Sequence, residues 1–175
     1  SAASDVYKRQ TSNKNVNGTE RVAELANILK WKADTLVINL QADMPELQYD
    51  NINLLAEKST NNEGLSTLYY DLENSKLKMS KNTVKICIDG ENINFCRLAE
   101  GNISDKIYKH IGIYGYYVKD LNSYKQLPQS ENEKDLSLEQ LRFVDNGYKI
   151  SAYYAVSDPG ISIDSSDNLN EIRKV

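Results

Sequence analysis

The chain has 175 residues, enough for one domain around a single core. Its 40% hydrophobic and 26% charged content is that of an ordinary globular protein, and a net charge of −4 argues against a surface that tracks nucleic acid. No apolar run approaches the roughly 20 residues a bilayer-spanning helix needs, so no membrane insertion is expected and the chain is read as soluble.

The first ten residues, "SAASDVYKRQ", lack the apolar stretch of a signal peptide. "DVYKRQ" is similar to a translated sequencing-library transposon end. Residues 1–10 are therefore expected to be a non-native leader, residues 11–175 the rest of one domain, and the gene truncated at its start; the alternative is a natural arm. "NGTERVAELANILK" predicts a helix starting at Thr19-Glu20, with Val22, Leu25, Ala26 and Leu29 on one face. A buried strand follows at 35–40. "ELQYDNINLLAEKS" predicts a second helix facing the core through Ile52, Leu55 and Ala56. "NNEGLSTLYYDL" is a turn and a strand. "NTVKICIDGENINFCR" reads as a hairpin closed by Asp89-Gly90-Glu91-Asn92. "HIGIYGYYVKD" is a strand whose Gly112 and Gly115 mark a bulge or a close backbone approach. Residues 125–137 are polar and are expected to form a mobile surface loop. "SLEQLRFVDNG" predicts a helix stopped by Gly147, "YKISAYYAV" a last strand, and Asp158-Pro159-Gly160 a turn. A C-terminal helix capped by Ser165 or Ser166 would close the chain. This order implies an α/β fold with a mixed sheet. Cys87 and Cys96 fall in strand-like runs without a C-x-x-C spacing, and are expected to be small buried hydrophobes, reduced and metal-free.

Ligands of open α/β sheets sit outside the carboxyl ends of strands. Asp43 and Asp164 both follow such ends, and two carboxylates with water and phosphate suit magnesium. An aspartate there can equally be a turn former or helix cap. His110, the lone histidine, can be structural or exposed. Arg97 ends a strand, where its planar fork can take a carboxylate or phosphate or simply face solvent. Glu139 and Arg142 are spaced for an i, i+3 surface pair.

"NGTERVAEL", "VINLQADMP", "KNTVKICID", "INFCR", "KHIGIYGYYV", "LEQLRF" and "DPGISIDSSDNL" occur in that order over residues 14–175. Together they resemble the C-terminal two thirds of the 3-deoxy-manno-octulosonate (Kdo) cytidylyltransferases. The resemblance implies a nucleotide-diphospho-sugar transferase-like three-layer sandwich lacking its N-terminal strand and phosphate loop. It implies a cytoplasmic homodimer that uses Mg2+ to transfer CMP from CTP to Kdo for lipopolysaccharide synthesis. Asp43 and Asp164 would be the catalytic metal ligands. Gln41, Arg97, His110, Tyr114, Glu139 and Gln140 would line the sugar pocket, Arg97 and His110 suiting an acidic sugar. Gly18, Thr19 and Glu20 would form the turn beside the nucleotide.

The sequence departs from the family pattern. Ala42 and Met44 stand where "Q-G-D-E-P" has Gly and Glu, and Asn94-Phe95-Cys96-Arg97 replaces "Y-F-S-R". The following "I-P-x-x-R" and the basic "R-x-x-S-x-R-x-x-G-K" phosphate loop do not occur in the 175 residues. The chain by itself is therefore expected to lack useful activity. An acylneuraminate or other acidic-sugar cytidylyltransferase is the nearest alternative, although Ser162 replaces the first aspartate of its D-x-D. A metal-dependent glycosyltransferase is disfavoured because the chain contains no D-x-D. A non-catalytic binding or dimerising fragment is the remaining alternative.

Overall fold

The structure is a computed structural model that describes residues 8–72, 75–98, 107–163, 170 and 172–173. Asp164 and most of the expected C-terminal helix lie outside the described residues.

Helix α1 (Gly18–Ile28) begins one residue before the expected Thr19. Asn17 is the cap: its side chain accepts the Glu20 N–H at 2.9 Å, while the Glu20 carboxylate accepts the Val16 N–H at 3.0 Å. This reciprocal pairing satisfies two otherwise orphaned donors. Of the expected face Ala26 is buried and Val22 packs on the core, joined by Ala23, whereas Leu25 is only half-buried and Leu29 is exposed. Small side chains let α1 lie close against helix α4 (Val118–Tyr124). That helix was expected to be a continuation of the preceding strand. Thr35 and Ala33 accept the N–H groups of Val118 and Lys119, which ends the strand there, and Val118, Leu121 and Tyr124 recur on one buried helical face.

Strand β1 (Leu36–Asn39) leads to helix α2 (Tyr49–Ser59), which buries Asn51, Leu55 and Ser59. Ile52 and Ala56 are only half-buried. Asn51 can be buried because both ends of its amide have partners, Nδ2 donating to Ser157 O and Oδ1 accepting from the Val156 and Ser157 N–H groups. Strand β2 (Leu65–Tyr70), a short helix α3 (Ser75–Met79) and the hairpin β3 (Lys85–Asp89) and β4 (Asn92–Cys96) follow. Gly90, at φ +60°, opens the two-residue turn as expected. Cys87 and Cys96 are free and only partly buried, and burial together with the neighbouring Cys96 raises the Cys87 thiol to about 11.

Strand β5 (Ile107–Tyr117) is the hub. Strand β2 pairs antiparallel along one flank of it. On the other flank β3 pairs with residues 107–109 and β1 with residues 114–117. Among the described residues no strand pairs with 111–113 on that flank. Strand β6 (Ile150–Tyr154) runs parallel to β2, completing a mixed sheet in the order β4-β3-β5-β2-β6 with β1 on β5. Both expectations about the glycines hold. The β2–β5 register shifts between Thr67, opposite Tyr114, and Leu68, opposite Ile111. A Cβ at Gly115 would lie 2.0 Å from Ser59 Oγ, so backbone and helix α2 meet there.

Alternation along β2 and β5 sends side chains to two cores. Leu68, Ile111 and Ile113 pack with Leu55 and Ala155. Leu65, Tyr114 and Tyr116 pack with Ala23, Leu121, Tyr124 and Phe143 on the opposite face. The expected loop at 125–137 is instead partly helix α5 (Glu131–Leu136), capped by Ser130, whose hydroxyl accepts the Glu133 N–H at 3.0 Å. The expected helix over 137–147 is reduced to α6 (Leu141–Asp145), preceded by a turn and stopped at Gly147, φ +78°.

Candidate functional site

The gap on the β5 flank is where a cleft opens. Strand β1 ends at Asn39, opposite Tyr114, and β3 begins at Lys85, opposite Lys109. Between them lies a cavity of about 1230 Å³, lined among others by Gly18, Gln41, Asp43, Arg97, His110, Tyr114, Glu139 and Gln140. This volume lies somewhat above the usual ~300–1,000 Å³ of a small-molecule pocket.

Glu139 ties the distant motifs together. One carboxylate oxygen accepts the Thr19 N–H at 2.9 Å and the other accepts from Gln41 Nε2 at 2.9 Å. Burial raises the Glu139 carboxyl above its ordinary range, and those two hydrogen bonds pull it partly back. Tyr114, also buried, donates its hydroxyl to Gln140 Oε1 at 3.1 Å, which leaves Gln140 Nε2 buried without a partner. A buried donor left open at a cleft is suited to an incoming oxygen.

Thr19 and Glu20 do not line the cavity. Thr19 is buried, and Glu20 turns away to accept from Arg142 at 2.9 Å. Gly18 does line it, but its neighbours do not demand glycine: a Cβ would sit 3.6 Å from Gln41 Nε2 and 3.7 Å from Glu139. Ala42 is free of positive φ, so its replacement of the family glycine carries no backbone strain. The surface pair Glu139–Arg142 does not form. Arg142 is buried with Glu133 instead, at 2.7 and 2.8 Å.

Arg97 uses three guanidinium N–H groups on the backbone carbonyls of Lys81, Leu136 and Ser137. It holds the end of β4 against α5 with no carboxylate partner among the described residues. His110 is 7% exposed, and burial depresses its imidazole to about 3, so it is neutral near pH 7. Lys109, which the sequence reading passed over, also lines the cleft and donates to Gly160 O at 2.6 Å.

Asp43 Oδ1 is buried and unpartnered. Its backbone carbonyl accepts the Ile163 N–H at 2.8 Å, and Glu46 accepts the Ile161 N–H at 2.9 Å. These two bonds lay segment 160–163, which leads directly into Asp164, along the loop that carries Asp43. An orphaned carboxylate oxygen fits a hard cation. Glu46 was absent from the sequence reading; its signal is only its position one residue past Pro45.

The cytidylyltransferase family model matches residues 7–150. A 3-deoxy-manno-octulosonate cytidylyltransferase of Fusobacterium nucleatum is 36% identical over 172 residues, covering 93% of this chain and 68% of that protein. This chain belongs to the 3-deoxy-manno-octulosonate cytidylyltransferase family. The solved structure of a CMP:2-keto-3-deoxy-manno-octonic acid synthetase complexed with CTP superposes with a TM-score of 0.79 at 30% identity, covering 94% of this chain and 69% of that one. A 2-C-methyl-D-erythritol 4-phosphate cytidylyltransferase of Francisella tularensis shares the fold at a TM-score of 0.61 and 18% identity. The architecture is therefore that of the nucleotide-diphospho-sugar transferases, as the motifs implied.

Proposed function

We propose that the cleft joins CTP to Kdo. The 2-hydroxyl of the sugar attacks the α-phosphorus of CTP, the bond to the β-phosphate oxygen breaks, and CMP-Kdo and pyrophosphate leave as the hydroxyl proton is lost. The orphaned Asp43 carboxylate oxygen beside the segment leading to Asp164 is the observation that carries this reading. Asp43 and Asp164 are the residues that would hold Mg2+, which when bound neutralises charge developing on phosphate and lowers the pKa of a nearby hydroxyl. Gln41, held by Glu139, and the open amide of Gln140 orient sugar oxygens. Arg97 supplies positive charge at the rim for the sugar carboxylate. The α1 N-terminus, with Gly18 on the cleft, faces the nucleotide.

The 175 residues contain no R-x-x-S-x-R-x-x-G-K segment, and we read the chain alone as a weak catalyst for that reason. The test assays CMP-Kdo and pyrophosphate from CTP, Kdo and Mg2+, for the chain alone and for the chain preceded by the phosphate-loop segment of the Fusobacterium relative. Product is expected with the segment and little without it. No product from either removes the reading. Among the described residues no helix is long and apolar enough to cross a membrane. A water-soluble nucleotide substrate supports a cytoplasmic place. The family resemblance supports a homodimer, which sedimentation would report as twice the 19.8 kDa chain mass.

A further inference from the structure

Thr67, on β2, is fully buried and was singled out by no motif. Its hydroxyl oxygen lies 2.9 Å from His110 Nε2, 2.9 Å from Ile113 O and 3.1 Å from Ile111 O. The two carbonyls belong to the stretch of β5 where the register with β2 shifts. A hydroxyl has one proton to give and lone pairs to receive, whereas carbonyl oxygens only receive. If the proton went to the imidazole, the hydroxyl lone pairs would face two carbonyl oxygens. With the proton directed to the carbonyls, Thr67 accepts from Nε2–H and every contact is attractive.

The opposite ring nitrogen, Nδ1, has no partner among the described residues, and His110 lines the cleft. Phe95 and Tyr114 hold the ring, with centroids 5.0 and 5.8 Å away. We propose that Thr67 is a positioning residue that fixes His110 as the Nε2–H tautomer, so that the cleft meets an Nδ1 lone pair selecting a sugar hydroxyl rather than a carboxylate. The hydroxyl half of this rests on the reading of the cleft as a Kdo site. It leaves Arg97, rather than His110, to take the carboxylate.

His110 is the chain's only histidine, so 15N-labelled protein gives one imidazole pattern. At neutral pH the free chain is expected to show a protonated Nε2 and a bare Nδ1. Thr67→Ser should keep that pattern, and Thr67→Val should give a mixture of tautomers. An Nδ1–H ring or an imidazolium in the wild-type chain overturns the proposal, as does a Thr67→Val pattern identical to wild type. If the valine variant does not fold, Thr67→Ala gives the same comparison: a pattern identical to wild type there overturns the role of Thr67, and the wild-type spectrum alone can overturn the tautomer. On adding Kdo, with binding followed separately by calorimetry, the Nδ1 resonance should shift as it accepts a hydroxyl. Conversion to an imidazolium by bound Kdo refutes the hydroxyl assignment while leaving the cytidylyltransferase reading intact. A chain that binds no Kdo even when preceded by the phosphate-loop segment, yet holds the Nε2–H tautomer and loses it in Thr67→Val, removes the sugar reading and supports the role of Thr67.

Discussion

Replacing Arg142 by methionine should destabilise the fold severely. The guanidinium makes a bidentate pair with Glu133 at 2.8 and 2.7 Å, reaches Glu20 at 2.9 Å, and lies 4.4 Å from the Tyr124 ring centroid. The Arg142 and Glu133 side chains are 4% and 3% exposed. Burial alone would depress the guanidinium pKa, but the Glu133 and Glu20 hydrogen bonds raise it, so the charge stays. In Arg142→Met the Glu133 carboxylate keeps only a weak 3.4 Å contact from Asn17. Leaving one member of a buried ion pair uncompensated costs about 3–5 kcal/mol. For a domain of this size each kcal/mol moves Tm by about 2–4 °C, so the expected drop is roughly 6–20 °C. Thermal melts would measure that drop, and urea melts followed by the fluorescence of Trp31, which packs on the core beside α1 and α4, the free-energy loss. The double variant Arg142→Met/Glu133→Leu should recover most of the loss, because an apolar pair needs no counter-charge. A single-variant loss under about 1 kcal/mol, or a double variant no more stable than the single, would refute this reasoning.

Asp43→Asn should leave Tm unchanged or raise it, because the buried oxygen it neutralises has no partner, while Mn2+ binding read by calorimetry falls at least tenfold; unchanged Mn2+ affinity would remove Asp43 from the metal site. His110 is held neutral down to about pH 3, whereas an unfolded histidine takes its proton near 6.5. Its contribution is therefore fully present above that pH and is lost as pH falls, by about 1.4 kcal/mol per unit. The stability difference between wild type and His110→Gln should follow that slope between pH 6.5 and 5. The raised carboxyls of Glu139 and Asp120 act in the opposite sense and cancel in the difference; parallel curves would contradict the buried neutral histidine. Gly115→Ala should cost about 1–3 kcal/mol by overpacking, with part recovered when Ser59→Gly clears the clash; equal chemical midpoints for the single and double variants would show that the contact is not the cause.

Strand identities and the hairpin were legible because alternation and turn chemistry are local. The strand-end rule placed Asp43 on the cleft for the same reason. Helix faces were legible only in part: Ala26 and Leu55 are buried as expected, but Leu25 is half-buried, Leu29 is exposed and Ala23 was missed, since what matters is how closely α4 approaches. Helix α5 was hidden by its polarity, although Ser130 and Glu133 stand at capping-box spacing. Arg142 read as a surface pair because its partners Glu20 and Glu133 meet only after α1, α5 and α6 have packed. Thr67 was invisible because its role depends on carbonyl oxygens, and backbone atoms leave no mark in a residue pattern.

The irregularity in β5 also constrains how this chain can change length. Strand β2 takes one step from Thr67 to Leu68 while β5 takes three, from Tyr114 to Ile111, so two residues are spare. An even surplus preserves the in-and-out alternation, and His110 and Tyr114 therefore look the same way despite the shift. Losing or gaining a single residue at 112–113 would turn His110 away from the cleft and turn Ile111 towards it. Relatives that differ in length at this point are expected to differ by two residues, and a one-residue difference would have to be offset by another nearby in the same strand.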